Sequence, residues 1–363
     1  MKKSVEAGKT LLVNGPSSVR VLSGKVEVFG NVIKESQQVV VREGKRQPFH
    51  VLENAEFHVS LGANAAVQEE EASTIPVSWS EALQAVKAIQ NKPVVVMVMG
   101  KADLGKSSFS TYIVNNLVNG KTKVAILDGD LDQSDIGPPC TIAYDYTIKR
   151  VTELCELGMS NAFFVGVTSP VQAVARTVEG LATVHGEIMQ KSGVDYVIVN
   201  TDGWIEGENA VNYKLQLVNQ LKPDLVVGIQ MQEELMPLFS GISTVSTCCV
   251  ESSKGVSGRS PEKRAKMREL SYAKYLKDAK VRSLFASYME IQEKKVLPKE
   301  PGREKGILVG LRNAKKQFLG IGIMLEYNRT RQIMKVLTSV SVKPTSITIG
   351  RIRLDPELRE MPL

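Results

Sequence analysis

The chain is poor in the side chains that most often carry acid–base and metal chemistry. Its 363 residues include three histidines, four cysteines and two tryptophans. Scarce histidine argues against imidazole as a general base and points to a carboxylate in that role. The cysteines, Cys140, Cys155, Cys248 and Cys249, form no C-x-x-C pair, so neither a structural zinc site nor a disulfide framework is expected. No apolar run approaches the length of a membrane span, and the N-terminus lacks the apolar region of a signal peptide. The expectation is a protein with no membrane partner, cytoplasmic, or nuclear in a eukaryote. Hydrophobic residues at 43% and charged residues at 23% suit an ordinary globular chain of two or three domains.

Charge is unevenly spread. The net charge is +7, and residues 252–282 carry all of the excess, with ten Lys/Arg against three acids. A compact basic segment suits a polyanion such as a nucleic acid or nucleotide phosphates, although most charge runs are simply solvated helix faces. Residues 1–72 read as a small β-sandwich-like domain, with strands at Val19–Leu22, Val26–Phe29, Gln38–Val41 and Phe57–Leu61. The acidic run Glu69–Glu71 reads as the start of a linker ending near Pro76, and Trp79–Ile89 as a helix. From Val94 onward strands alternate with helices, which predicts a mostly parallel sheet with helices on both faces. Strands are expected at 94–99, 124–127, 163–167, 194–200 and 224–230, and helices at 107–117, 171–190, 208–220 and 232–239. Residues 259–282 read as a basic helical insertion with Pro261 in its first turn. Short β segments return at Ile307–Leu311, Phe318–Leu325, Gln332–Leu337 and Ser346–Leu354. The expected domains are 1–72, 73–300 with a basic lid at 255–282, and 301–363.

Residues 100–107, Gly-Lys-Ala-Asp-Leu-Gly-Lys-Ser, spell the phosphate-binding loop G-x-x-x-x-G-K-[ST] between an apolar strand and a helix. Backbone N–H groups of Gly100, Lys101, Ala102, Asp103, Leu104 and Gly105, continuing into Lys106, Ser107 and Ser108, are placed to cradle the phosphates of a nucleotide. Lys106 would reach the β- and γ-phosphates and Ser107 would hold Mg²⁺. The alternative is an ordinary Gly-containing turn in an α/β domain.

Directly after the loop's helix, Val124–Leu127 leads into Asp128, Asp130, Asp132 and Gln133. An apolar strand ending in carboxylates is the usual place for an Mg²⁺-linked aspartate and for a base. One or more of these acids could instead serve as loop or cap residues. A third stretch, Thr201-Asp202-Gly203-Trp204, follows the strand at 194–200. A tryptophan there offers a stacking surface for a base, and a core Trp capping the sheet is an equal alternative.

Together these motifs resemble the polynucleotide 5′-hydroxyl kinase family, which includes the kinase subunit of the eukaryotic pre-mRNA cleavage factor, the pre-ribosomal RNA kinase and their archaeal relatives. The matching residues are Asp103 within the loop, Asp128, Asp130 and Gln133 followed by Gly137-Pro138-Pro139, and Thr201, Gly203 and Trp204 of the family's T-x-G-W clasp. Arg259, Arg264 and Arg268 match its lid arginines, and further matches lie at Glu27–Gly30, Phe163–Pro170 and Gly350–Leu354. The resemblance implies a central P-loop sheet flanked by small N-terminal and C-terminal β domains, ATP and Mg²⁺ as cofactors, 5′-hydroxyl RNA or DNA ends as acceptors, and RNA-processing protein partners. It implies that Asp128 holds Mg²⁺ through water and that Asp130 deprotonates the 5′-hydroxyl. Arg259 and Arg268 would close over the phosphates, with Arg264 on phosphate or substrate backbone. Gln133, Thr201 and Trp204 would hold the terminal nucleotide, and Glu27 would contact adenine.

Three departures stand out: Asp132 where the family has Gly, Cys140 where it has a further Gly, and Tyr275-Leu276-Lys277 at the end of the lid. Two rival readings remain. One is an ATP-binding scaffold of an RNA-processing complex that does not turn ATP over. The other is a partitioning-type ATPase switch, suggested by Lys101 at that family's signature position but lacking its Lys-Gly-Gly.

Overall fold

The computed structural model describes residues 1–300 and 302–361. Three sheets, some of them with parallel strands, combine with six α-helices among the described residues. No helix among them is long and apolar enough to cross a membrane. The chain divides into two compact units that interleave in sequence. One comprises residues 1–127, 146–158 and 188–260, and the other residues 128–145, 159–187 and 261 onward.

In the first unit, the N-terminal strands form an antiparallel sheet organised by two long strands, Ser17–Val28 and Arg46–Leu61. Alternating burial along both follows from the two-residue period of a strand with one face on a core. The sequence predicts two separate strands at Val19–Leu22 and Val26–Phe29, but they are one strand with register shifts between Val21 and Val26. Gly24 marks the irregularity with φ 87°, where a Cβ would meet the Asn54 carbonyl oxygen at 2.2 Å. The predicted acidic linker is also corrected. Val67–Glu70 is a strand on Thr10–Asn14, and the acids that suggested a solvated linker are paired instead. Lys3 reaches Glu69 at 3.2 Å and Lys9 reaches Glu71 at 3.2 Å.

The same unit holds the parallel strands. Val94–Gly100 is buried at every position, because both its neighbours run beside it in parallel: Tyr196–Asn200 on one side and Leu225–Gln230 on the other. Val124–Asp128 lies next to Tyr196–Asn200, and Ser246–Glu251, a strand absent from the sequence reading, extends the other edge in parallel. The helix predicted at 232–239 shrinks to Met236–Phe239. Helix Val77–Ala88 docks through Trp79, fully buried, whose indole donates to the Glu251 carbonyl at 2.8 Å and meets the Phe109 ring edge-on at 5.2 Å.

In the second unit, Thr141–Thr147 pairs antiparallel with Asn161–Phe164. The third sheet runs in the order Lys280–Phe285, Ile333–Thr338, Phe318–Asn328, Ile307–Arg312, Ser346–Leu354, Glu290–Gln292, around an aliphatic core. The basic insertion is helical only over Pro261–Tyr275, and its last basic residues, Lys280 and Arg282, belong to the first strand of this sheet. Residues 360 and 361 form a short strand in which Glu360 lies opposite Leu354.

Trp79 fills more volume than any other fully buried side chain and its indole N–H is satisfied. Trp79→Ala should therefore destabilise the protein by about 3–5 kcal/mol in chemical denaturation, with an unchanged midpoint contradicting this packing.

Candidate active site

The loop after Val94–Gly100 turns into helix Lys106–Leu117 at Gly105, whose φ of 95° is left-handed backbone that only glycine adopts without strain. Asp103 also takes a left-handed φ, of 61°, which Asp tolerates better than most residues. Its carboxylate accepts the backbone N–H of Arg259 at 3.0 Å and the Arg259 Nη1 at 3.3 Å. Arg259 Nε donates to the Gly44 carbonyl, so this arginine is fixed against the loop. Lys106 is buried, with Nζ donating to the Lys101 carbonyl at 2.9 Å, which places the ammonium over the loop. The Ser107 hydroxyl lies 3.4 Å from Asn200 Nδ2, at the end of the adjoining strand. The side chain of Lys101 points outward and pairs with Glu206 at 2.6 Å.

The stretch Thr201–Trp204 packs directly on this loop. A Cβ at Gly203 would meet the backbone N of Ala102 at 2.5 Å and its Cα at 2.8 Å, so only glycine allows the approach. Trp204, half-buried, stacks on Tyr213 with ring centroids 5.5 Å apart and planes 24° from parallel. The fully buried hydroxyl of Thr201 donates to the Val98 carbonyl at 2.8 Å and ties the clasp to the loop's strand. Asp202, hidden among the motif letters, is the anchor of the turn. It accepts Lys214 Nζ at 2.9 Å, the Tyr213 hydroxyl at 2.8 Å and the Trp204 N–H at 2.9 Å. Lys214 is fully buried, and a buried charge of this kind requires such a partner.

Glu27 sits close enough to the loop's helix for its charge to help burial raise the pKa of Tyr112. On the same helix, Asn115 Nδ2 donates to the Phe29 carbonyl, and a Cβ on Gly30 would strike Asn116. The Glu27–Gly30 stretch is thus a docking strip for that helix.

In the second unit, Asp128 is fully buried. Its carboxylate accepts the Ser134 hydroxyl at 2.9 Å and the backbone N–H groups of Asp135 at 2.6 Å and Ile136 at 3.3 Å. Burial first, then the charges of Asp135 and Asp130, push its pKa up to about 7 against those hydrogen bonds. Asp130 Oδ1 accepts the N–H groups of Asp132 and Gln133, each at 3.0 Å, which fixes the acidic turn. Gln133 Nε2 donates to the Arg264 carbonyl, tying this turn to helix Pro261–Tyr275. Arg268 on that helix is gripped by Glu360, Nε to Oε1 at 2.7 Å and Nη2 to Oε2 at 2.8 Å, and pairs with Asp132 through Nη1. Glu360 was not foreseen, because nothing near the chain's end marks it. Among the described residues no group of three or more His, Cys, Asp or Glu side chains could hold a metal ion alone.

Residues 100–278 match the family model described as the mRNA cleavage and polyadenylation factor CLP1 P-loop. This segment is similar to that family. The family's P-loop implies use of ATP. The chain is similar to the polyribonucleotide 5′-hydroxyl-kinase of Pyrococcus furiosus, 28% identical over 74% of this chain and 90% of that protein. It is similar to the enzyme of the same name from Methanocaldococcus jannaschii, 24% identical over 80% of this chain and 94% of that protein. Among solved structures, wild-type Clp1p in its complex with Pcf11p superposes with a TM-score of 0.76 at 15% identity, covering 97% of each chain. That likeness establishes a Clp1-like fold.

The Asp128 carboxyl makes stability pH-dependent with a definite sign. The folded protein holds this proton up to about pH 7 and the unfolded chain releases it near the ordinary carboxylate value, so this group's contribution to stability falls as pH rises between them. Asp128→Asn should remove that slope. The melting temperature of wild type relative to the variant should drop between about pH 4 and about pH 7, whereas a constant difference would show an ordinary carboxylate.

Proposed function

We propose that the protein is an ATP-dependent polynucleotide 5′-hydroxyl kinase, which transfers the γ-phosphate of ATP to the 5′-hydroxyl end of RNA, with DNA ends as a second acceptor class. The observation that carries this reading is the contact of Gly203 on Ala102, which sets a stacking tryptophan beside a phosphate-cradling loop. A loop alone would suit any nucleotidase, whereas an aromatic platform next to it suits a nucleoside acceptor. The kinases of Pyrococcus furiosus and Methanocaldococcus jannaschii, each matched over nine-tenths or more of its length, support the reaction class. In this reading the parallel strands form the centre of a P-loop sheet with helices on both faces. It forms the kinase domain, 73–300, with its lid at 255–282, and β domains at 1–72 and 301–363 flank it.

The backbone from Gly100 to Ser108, with Lys106, holds the donor phosphates, and Glu27 faces the adenine. Asp130 accepts the proton of the 5′-hydroxyl as its oxygen bonds to the γ-phosphorus. The bond from that phosphorus to the β–γ bridging oxygen breaks, and ADP leaves. Arg259 and Arg268 spread the charge of the transferring group, a task for which a planar guanidinium suits better than an ammonium. Trp204 stacks on the terminal base, Gln133 and Arg264 hold the nucleotide's backbone, and Thr201 keeps the clasp on the loop's strand. Mg²⁺ fits these residues. Such ions are commonly held by one or two protein groups and substrate phosphates. Ser107 would bind it directly and Asp128 through water, and the ion would neutralise charge on the phosphates.

The test is transfer to a 5′-hydroxyl oligonucleotide by purified variants. Asp130→Ala should lower kcat by about 10²-fold or more, and Lys106→Ala should do so with retained folding. Trp204→Ala should raise the KM for the oligonucleotide by about 5- to 150-fold, as expected for one lost base stack. An Asp130→Ala enzyme working at the wild-type rate would overturn the assignment of the base.

A further inference from the structure

Asp132 and Glu360 grip the same lid arginine in different ways, and the difference has a functional consequence. Glu360 takes the Nε–Nη2 edge of Arg268 with both carboxylate oxygens, at 2.7 Å and 2.8 Å. Such a two-point fork is the geometry that most strongly fixes a guanidinium. Tyr272, fully buried on the same helix, donates its hydroxyl to Glu360 Oε1 at 3.0 Å, so the carboxylate is itself held in place. Asp132 instead meets only the remaining corner of the guanidinium, Nη1. Its second oxygen faces Arg264 Nε at 3.7 Å. The Asp132 side chain is 32% exposed, against 23% for Glu360 and 13% for Arg268. The fork is thus anchored, and the single contact is open to exchange with solvent anions.

The turn that carries Asp132 is rigid on its own account. Asp130 Oδ1 caps the N–H groups of Asp132 and Gln133. Gln133 Nε2 is bonded to the Arg264 carbonyl on the lid helix. A carboxylate on this turn therefore stands where the lid arginines present their cationic edge. It is also the position at which this chain carries an acid in place of a glycine.

We propose that Asp132 is an internal stand-in for a phosphodiester of the acceptor strand, exchangeable on Arg268 and Arg264, while Glu360 is a positioning residue that keeps Arg268 aimed during the exchange. The incoming polynucleotide phosphate takes the Nη1 corner and the Arg264 face, and Asp132 turns to solvent. Asp132 makes the enzyme discriminate against weakly charged acceptors. A single nucleoside lacks the phosphodiester needed to displace it, whereas a strand supplies one. This deepens the kinase reading and rests on it for the identity of the acceptor, but the carboxylate–arginine exchange has a readout of its own.

That readout is binding without turnover: fluorescence anisotropy of a labelled 5′-hydroxyl RNA oligonucleotide, with no ATP, on wild type and on Asp132→Asn. The isosteric variant should bind about two- to fivefold more tightly, the range of a partly exposed ion pair. In the Arg268→Met background the same substitution should give a clearly smaller gain, because the partner from which Asp132 must be displaced is gone. An unchanged or weaker affinity in Asp132→Asn overturns the proposal. So does an equal gain with and without Arg268, which would trace the effect to bulk charge. Glu360→Gln should act on the other parameter, lowering kcat for transfer with the KM for ATP little changed. A rise in kcat would make Glu360 a lock and contradict its positioning role. Failure of the kinase reading shows separately, as wild-type enzyme that binds the oligonucleotide and ATP and phosphorylates nothing.

Discussion

The site in the first unit depends on one close approach of two backbones, that of Gly203 to Ala102. Without a side chain at Gly203 the clasp comes within contact distance of the phosphate loop, and with one it does not. Everything nearby serves that approach. The Thr201 hydroxyl bonds to the Val98 carbonyl and holds the start of the clasp to the loop's own strand. Asp202 turns the chain by accepting the Trp204 N–H, and the buried Lys214 and the Tyr213 hydroxyl neutralise and satisfy its carboxylate. Tyr213 does double duty, since its ring also backs the face of Trp204. A buried ion pair gains little net stability over an apolar replacement. Its use here is geometric, in fixing one conformation of a turn that carries an aromatic platform.

Charge pairing is the second constraint. Each arginine implied in phosphate chemistry already has a carboxylate partner: Arg259 has Asp103, Arg268 has Glu360 and Asp132, and Arg264 has Asp132. These pairs hold the arginine side chains in fixed orientations. Burial alone would ease the proton off Arg268, but the Glu360 hydrogen bonds and the Asp132 charge outweigh it and raise its pKa. The opposite imbalance holds at Asp128, where burial and two neighbouring acids leave a carboxyl poised near neutrality.

Local pattern made much of this legible. The phosphate loop was readable because its glycines, Lys106 and Ser107 sit at fixed spacing between a wholly apolar strand and a helix. The parallel strands were readable because continuous burial removes the alternation of a half-exposed strand. Strand Ser246–Glu251 was missed because its Ser, Thr and Cys residues lack that apolar run, being an edge strand with much of its surface exposed. Val67–Glu70 was misread because an acidic run looks like a linker until Lys3 and Lys9, some sixty residues away in sequence, fold against it. The site residues that escaped notice act through distant partners. Glu360 matters only because Arg268 reaches it, and Lys214 only because it is buried on Asp202. The place of Thr201 in a motif likewise says nothing of its hydrogen bond to the Val98 carbonyl.

The central claim, that the phosphate loop and the aromatic clasp form one site through Gly203, is open to a direct measurement. The affinities for a non-hydrolysable ATP analogue and for a 5′-hydroxyl RNA oligonucleotide can be compared between wild type and Gly203→Ala. A methyl group at that position must push against the Ala102 backbone, so the loop and the clasp are expected to lose affinity together. A Gly203→Ala protein that binds both ligands as wild type does would contradict the account.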